Sequence, residues 1–141
     1  MKSDYVKEWM SSNTVTIKSG ATLPDAYELM KEYNIRRLPV VDSNNKLLGI
    51  IARSDVREAQ PSDATSLSIY ELNYLLAKLT VDKIMTKKVL TVKPDTSIAE
   101  AARLMLDHKV GGLPVVDDQN HVLGIITESD IFRLVVQRYA D

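Results

Sequence analysis

Apolar positions along the chain fall into two kinds of pattern. Short alternating or continuous runs, VTI at 15–17, LPVV at 38–41, LLGII at 47–51, VLTV at 89–92, LPVV at 113–116 and VLGII at 122–126, read as strands. Between them the spacing becomes helical: Leu23, Ala26, Leu29, Met30 and Tyr33 form one stripe, and Ile98, Ala101, Leu104 and Met105 another. TLPD at 22–25 and SIAE at 97–100 open these helices as capping boxes, and Asn34 and Lys109 stand where they should stop. Each LPVV runs through a polar turn, DSNNK or DDQNH, into the next strand. This predicts a hairpin with proline at the strand start, where its missing N–H costs least. A further helix is expected after Asp55 and after Asp130. The order β-α-β-β-α, met twice, predicts an α/β (α+β) fold with helices on one face of a small sheet.

The second occurrence is a copy of the first. A shift of 75 positions lays LPVVD at 38–42 on LPVVD at 113–117, and LLGIIARSD at 47–55 on VLGIITESD at 122–130. The register does not slip from Met10 to Ala59, and about a third of the pairs are identical, several times what average composition produces. The expected organisation is a first repeat at 1–60, a linker and connecting helix at 61–80, and a second repeat at 81–141. Gln60 to Thr65 carries Pro, Ser and Asp and reads as linker. Ser68 to Glu71 is a third capping box, opening a helix with Leu72, Leu75, Leu76 and Leu79 on an apolar face expected to pack on the chain's own core. VKEWM at 6–10 reads as its short counterpart.

Composition removes whole classes of function. With 45% hydrophobic residues in 141 the chain has material for a real core. A net charge of -1 with interspersed signs leaves no basic stripe for nucleic acid, so DNA binding is not expected. No apolar stretch approaches the ~20 residues of a spanning helix and the first residues lack a signal segment, which points to a cytoplasmic protein away from membranes. The absence of cysteine excludes disulfides, thiolate metal sites and thiol catalysis.

The stretch GIITESD at 124–130 carries the candidate chemistry. On one reading Thr127 caps the last helix and Asp130, three residues on, returns the hydrogen bond. On the other, the same helix start offers free N–H groups and partial positive charge to a phosphate, while the carboxylate takes two hydrogen bonds from the vicinal hydroxyls of a ribose. Gly124 permits close approach by a ligand or by the other repeat. Ser54 and Ser129, each next to an aspartate, lack a base: the two histidines, His108 at a helix end and His121 in a turn, do not recur between copies. No phosphate loop appears, and Asp117 with Asp118 reads as a solvated turn rather than a cation site. No catalytic constellation is present, so no enzyme, metal or covalent cofactor is expected.

A doubled β-α-β-β-α unit with MS or MT before the first strand, LPVVD in the hairpin and G-I-I-x-x-S-D before the last helix resembles a tandem pair of CBS domains, a Bateman module, over nearly the whole chain. The resemblance implies two repeats packed sheet against sheet with pseudo-two-fold symmetry, often dimerised, with clefts for adenosine compounds such as AMP, ATP or S-adenosylmethionine that regulate an attached or separate effector. It assigns ribose binding to Asp130, Ser129 and Thr127, and to Asp55 and Ser54 in the first copy. It places Arg36 and Arg37, where the second copy has Gly111 and Gly112, near phosphates; a solvated loop pair is the equal alternative. Two guanidiniums favour a phosphorylated ligand over a sulfonium. The adenine is expected against the opposite repeat, which pairs Asp55 with Val110, its neighbour Gly111 and the segment from Thr86 to Val89, and Asp130 with Ile35 and the segment from Ser11 to Thr14, including Ser12. Ala52 replaces Thr127 in the first copy, so two equal sites are not expected.

The expected function is an adenine-nucleotide sensor, taking AMP, ADP or ATP as regulatory ligand, acting on a separate effector protein. The competing readings are a structural dimerisation module without ligand, or a sensor of S-adenosylmethionine or NAD. Buried faces on the terminal helices point to a homodimer.

Overall fold

The structure is a computed structural model that describes residues 4–59 and 68–140. In chain order the elements are α1 (Val6–Trp9), β1 (Ile17–Lys18), α2 (Leu23–Tyr33), β2 (Arg37–Val41), β3 (Leu47–Ala52), α3 (Arg53–Ala59), α4 (Ile69–Lys78), α5 (Val81–Ile84), α6 (Ile98–His108), β4 (Gly112–Val116), β5 (Val122–Thr127) and α7 (Glu128–Tyr139). This is the mixed α/β architecture that the pattern predicts. The expected linker at 60–65 lies outside the described residues, as does the side chain of Leu72. Among the described residues no helix is long and apolar enough to cross a membrane.

The chain divides into two compact units, Val15–Lys88 and Met1–Thr14 joined by Val89–Asp141. In them each leading helix packs with the other copy. Val6 of α1 sits in a core with Ile98, Leu113 and Ile126, and Val81 of α5 in one with Leu23, Leu38 and Ile51. Backbone bonds fix the exchange. Val6 donates to the Thr96 carbonyl at 2.8 Å, and Val81 to that of Ala21 at 2.8 Å. The short counterpart of α1 is therefore α5, not the connector helix α4.

In the unit 15–88, β1 runs parallel to β2, and β2 antiparallel to β3. In the other unit β4 and β5 form the same hairpin, with the same register shift between the two valines, Val40/Val41 and Val115/Val116. The strand expected at 89–92 shrinks to a single bridge, Val92 to Val115. The cause is one residue: Ser19 extends the first ladder by donating to Val41, and Pro94, at the matching position, has no N–H to donate. The hairpin prolines lie inside their strands, paired with Ile50 and Ile125, rather than at the start. Pro114 contributes its carbonyl to Val92 at 3.0 Å, and its nitrogen faces the side where only that one bridge forms, so no ladder bond is lost.

Helix signals are largely honoured. Thr22 and Asp25 form the full box, at 3.3 and 3.0 Å. At Ser97 only the half in which its hydroxyl accepts from Glu100 N–H is formed. Asn34 and Lys109 both turn left-handed, at φ 52° and 55°, and end α2 and α6. Leu23, Ala26 and Met30 are buried and Leu29 packs beside them, whereas Tyr33, one turn too far along, is exposed. The connector α4 docks by its end: Leu79 packs on the core and its carbonyl accepts from Leu23 N–H at 3.0 Å, while Tyr70, Tyr74 and Leu75 are exposed.

Candidate functional site

Each hairpin delivers its acid to the corresponding place within its own unit. β3 passes directly into α3 and β5 into α7, so the helices begin two residues before the aspartates rather than after them, and Asp55 and Asp130 stand in the first helical turn. There each carboxylate reaches back to the last strand residue. Asp55 Oδ2 accepts from Ala52 N–H at 2.7 Å, and Asp130 Oδ2 from Thr127 N–H at 2.8 Å. The cap reading of these acids is thus realised in both copies, and it accounts for an acid at this position without any ligand.

The strand partner completes each corner. Arg37 pairs across β2 and β3 with Ala52, and the Arg36 carbonyl accepts from Arg53 N–H at 2.8 Å. Gly112 pairs with Thr127, and Gly111 accepts from Glu128 N–H at 3.1 Å. The structure therefore brings Arg36, Arg37, Ser54 and Asp55 to one end of one hairpin, and Gly111, Thr127, Ser129 and Asp130 to the matching end of the other. Arg36, Ser54 and Ser129 are exposed.

Beside β3 runs the segment after α5, where Thr86 and Ile50 exchange both backbone bonds at 2.9 and 3.0 Å. Ser11 and Ile125 do the same beside β5, at 3.0 Å each, with Ser12 exposed next in the chain. These neighbours explain the glycines. A Cβ on Gly124 would stand 2.5 Å from the Ser11 carbonyl oxygen, and one on Gly49 2.7 Å from that of Thr86. The close approach is made by backbone of the same unit, not by a ligand. Ile35 and Val110 follow the left-handed helix stops, bond back to Met30 and Met105 at 2.9 and 3.1 Å, and pack on their own cores. Val110 belongs to the unit of Asp130, and Ile35 to that of Asp55.

The two acids differ in what else they meet. Asp130 is buried, 4% exposed, and both its oxygens are engaged: Oδ2 also accepts from the Thr127 hydroxyl at 3.2 Å, and Oδ1 pairs with the Arg133 guanidinium. Asp55 is half-buried, and Ala52 N–H is its partner among the described residues. Where α7 carries Arg133, α3 carries Glu58. Arg133 was not legible as a site residue, since an i,i+3 pair on a helix surface looks like ordinary surface charge.

The remaining candidates serve the hairpin turns. Asp117 Oδ1 accepts from Gln119 and His121 N–H at 2.9 and 2.8 Å, and Oδ2 meets His121 Nδ1 at 3.0 Å. Asp42 holds Asn44 and Lys46 N–H in the same way, at 2.8 and 3.0 Å. Both carboxyls are held below the ordinary value, Asp42 chiefly by Lys46 N–H and Asp117 chiefly by His121 N–H. Among the described residues no group of three or more His, Cys, Asp or Glu is placed to hold a metal ion.

Comparison with known proteins places this geometry. The CBS domain pair crystallised with 5'-methylthioadenosine and S-adenosyl-L-methionine is similar over 97% of this chain and 99% of its own, with a TM-score of 0.81 and 31% identity. CBSX2 in complex with AMP is similar over 96% of this chain and 98% of its own, with a TM-score of 0.79 and 31% identity. The L-aspartate semialdehyde sulfurtransferase of Methanocaldococcus jannaschii is 33% identical over 129 residues, 92% of this chain but 23% of that enzyme. The chain thus spans about a quarter of the length of such curated relatives. The CBS domain model matches 6–62 and 81–137, both copies of the repeat, and this chain belongs to the CBS-domain family.

Proposed function

We propose that the chain is a regulatory sensor that binds an adenosine compound, an adenine nucleotide of the AMP or ATP type, and passes the signal to a separate effector protein. The observation that carries this reading is the pair of hairpin ends at which an acid and a serine stand together, in a chain 31% identical to CBS pairs crystallised with AMP and with S-adenosyl-L-methionine. A carboxylate there accepts both hydroxyls of a ribose, and the neighbouring helix start favours phosphate. In the first repeat Arg36 and Arg37 add positive charge, which selects a phosphorylated ligand over a sulfonium. The ligand acts by binding two conformations of the module unequally.

The test is calorimetric titration with AMP, ADP, ATP, S-adenosylmethionine and NAD. Saturable binding of one of them, weakened by Asp55→Ala, supports the reading. Silence from all five removes it and leaves a dimerisation scaffold.

Self-association belongs to the proposal as well, on a specific observation. α7 turns one face to its core and leaves Phe132, Val135, Val136 and Tyr139 exposed at helical spacing, with Leu106 of α6, itself 78% exposed. Together they form a contiguous exposed apolar face, of the kind that marks a protein–protein interface. Phe132 stands by a groove of about 500 Å³ lined by Met105, Leu106, Val110 and Ile131, with Lys109 and Glu128 of opposite charge on its walls. A projecting ring beside an apolar groove, flanked by both charges, is self-complementary, as a two-fold dimer requires. The occupant we assign is a second copy of this chain.

A further inference from the structure

The two ribose acids of the proposed sensor are not equally free. A carboxylate has about four acceptor positions. On Asp130, Oδ2 spends two, on the backbone and hydroxyl of Thr127, and Oδ1 faces the guanidinium of Arg133. Its side chain is 5% exposed, whereas that of Arg133, paired to it, is 63% exposed. On Asp55, Oδ2 spends one position on Ala52 N–H, and the residue one helical step on is Glu58, which has no hydrogen to donate and the same charge. The substitution of Thr127 by Ala52 therefore works opposite to its first appearance. The missing hydroxyl frees an acceptor position on Asp55, because in the second repeat that hydroxyl is turned onto the acid itself.

We propose that Arg133 is a specificity-determining latch: it closes Asp130, so that the chain takes one adenosine ligand at Asp55 and takes a second only when Arg133 leaves its acid. This rests on the sensor reading and assigns its two sites different states. A vicinal diol donates from neutral hydroxyls, whereas the guanidinium brings a full positive charge to the same carboxylate, so a ribose does not displace it unaided. Among the described residues no guanidinium is paired with the first acid, and Glu58 stands where Arg133 would be.

Exchange of the two residues tests the latch. Both lie on exposed helix positions, so the variants should fold. With AMP as the probe, calorimetry should give about one molecule per chain for the wild type, about two for Arg133→Glu, and one for Arg133→Lys, which keeps the ion pair. Glu58→Arg should close the first acid and weaken AMP binding on the order of ten-fold or more. Two equal sites in the wild type, or a stoichiometry of one in Arg133→Glu, overturns the latch while the sensor stands. Silence of both the wild type and Arg133→Glu towards AMP, ADP, ATP, S-adenosylmethionine and NAD overturns both. A readout without ligand separates them further: in denaturant unfolding, Arg133→Ala and Asp130→Asn should be strongly non-additive, and additive losses remove the latch whatever AMP does.

Discussion

The two repeats share their interior and differ on their surface. LPVV, the GII of the second hairpin strand and the left-handed helix stops are common to both, and they build the same hairpin with the same register shift. Outside the core, Ala52, Arg57 and Glu58 of the first copy become Thr127, Phe132 and Arg133 of the second. One repeat holds a half-buried acid at a hairpin end that also carries two arginines; the other buries its acid beside a guanidinium and turns an apolar helix face outward. Duplication here preserves what must pack and releases what stands on the surface, where the proposed ligand and second copy would bind.

The shared half breaks first and hardest. Gly124→Ala drives a Cβ to 2.5 Å from the Ser11 carbonyl, and Gly49→Ala to 2.7 Å from that of Thr86, so the paired segment must shift bodily. Each should cost about 3 kcal/mol in denaturant unfolding. Gly20→Ala, whose Cβ meets nothing within 4 Å, should stay within about 0.5 kcal/mol. Equal and small losses at all three would mean that the leading segments do not pair as described.

The differing half should break selectively. Phe132→Glu should weaken self-association about 30-fold, ~2 kcal/mol, by sedimentation, as expected for an aromatic anchor at the centre of an interface. Arg57→Glu, at the matching position of the first repeat, should leave it unchanged. A wild type that is monomeric at every concentration, or equal losses in both variants, would end the assignment of that face to a second copy.

Much of the fold was legible because its signals are local. Thr22 with Asp25, Asn34 and Lys109 act within a few residues of themselves, and the stripes of α2 and α6 follow from helical period alone. What was not legible is non-local. No pattern within 6–10 says that α1 will join the core of the second repeat, nor that Ser11 will lie against Gly124. The lost strand at 89–92 was readable in principle, since Pro94 cannot donate, but only once Ser19 is known to extend its ladder. The acids were found because the motif repeats; the guanidinium paired with one of them was missed because Arg133 and Glu58 lie outside the identical stretch.

A smaller contrast separates the acids in stability. Removal of Asp55 costs the cap bond, about 1 kcal/mol. Asp130→Ala removes the cap, strands the Thr127 hydroxyl and frees Arg133, and should cost about 2 kcal/mol. Matching losses would indicate that burial of Asp130 adds nothing, which would weaken the distinction between the repeats at its base.

The smallest effect tests what the repeats share at their tips. Asp42 and Asp117 are held below the ordinary carboxyl value of 3.8, each chiefly by a backbone N–H that its turn presents, Lys46 for one and His121 for the other. A carboxyl depressed in the folded state binds fewer protons there than in the unfolded chain. Its contribution is therefore complete above the ordinary value and is lost as pH falls through the lower, folded one. Stability should be flat with respect to these two groups above about pH 5 and decline below about pH 4. Asn in place of either aspartate keeps an oxygen for the turn N–H groups but has no proton to gain, so Asp42→Asn and Asp117→Asn should each flatten part of the acid limb. Asp117 also meets the His121 ring, and Asp42 the charges of Lys46 and Lys18, so each substitution should remove its own turn's share of the limb. An acid limb unchanged by both substitutions would show that the turns do not hold their aspartates as charged acceptors.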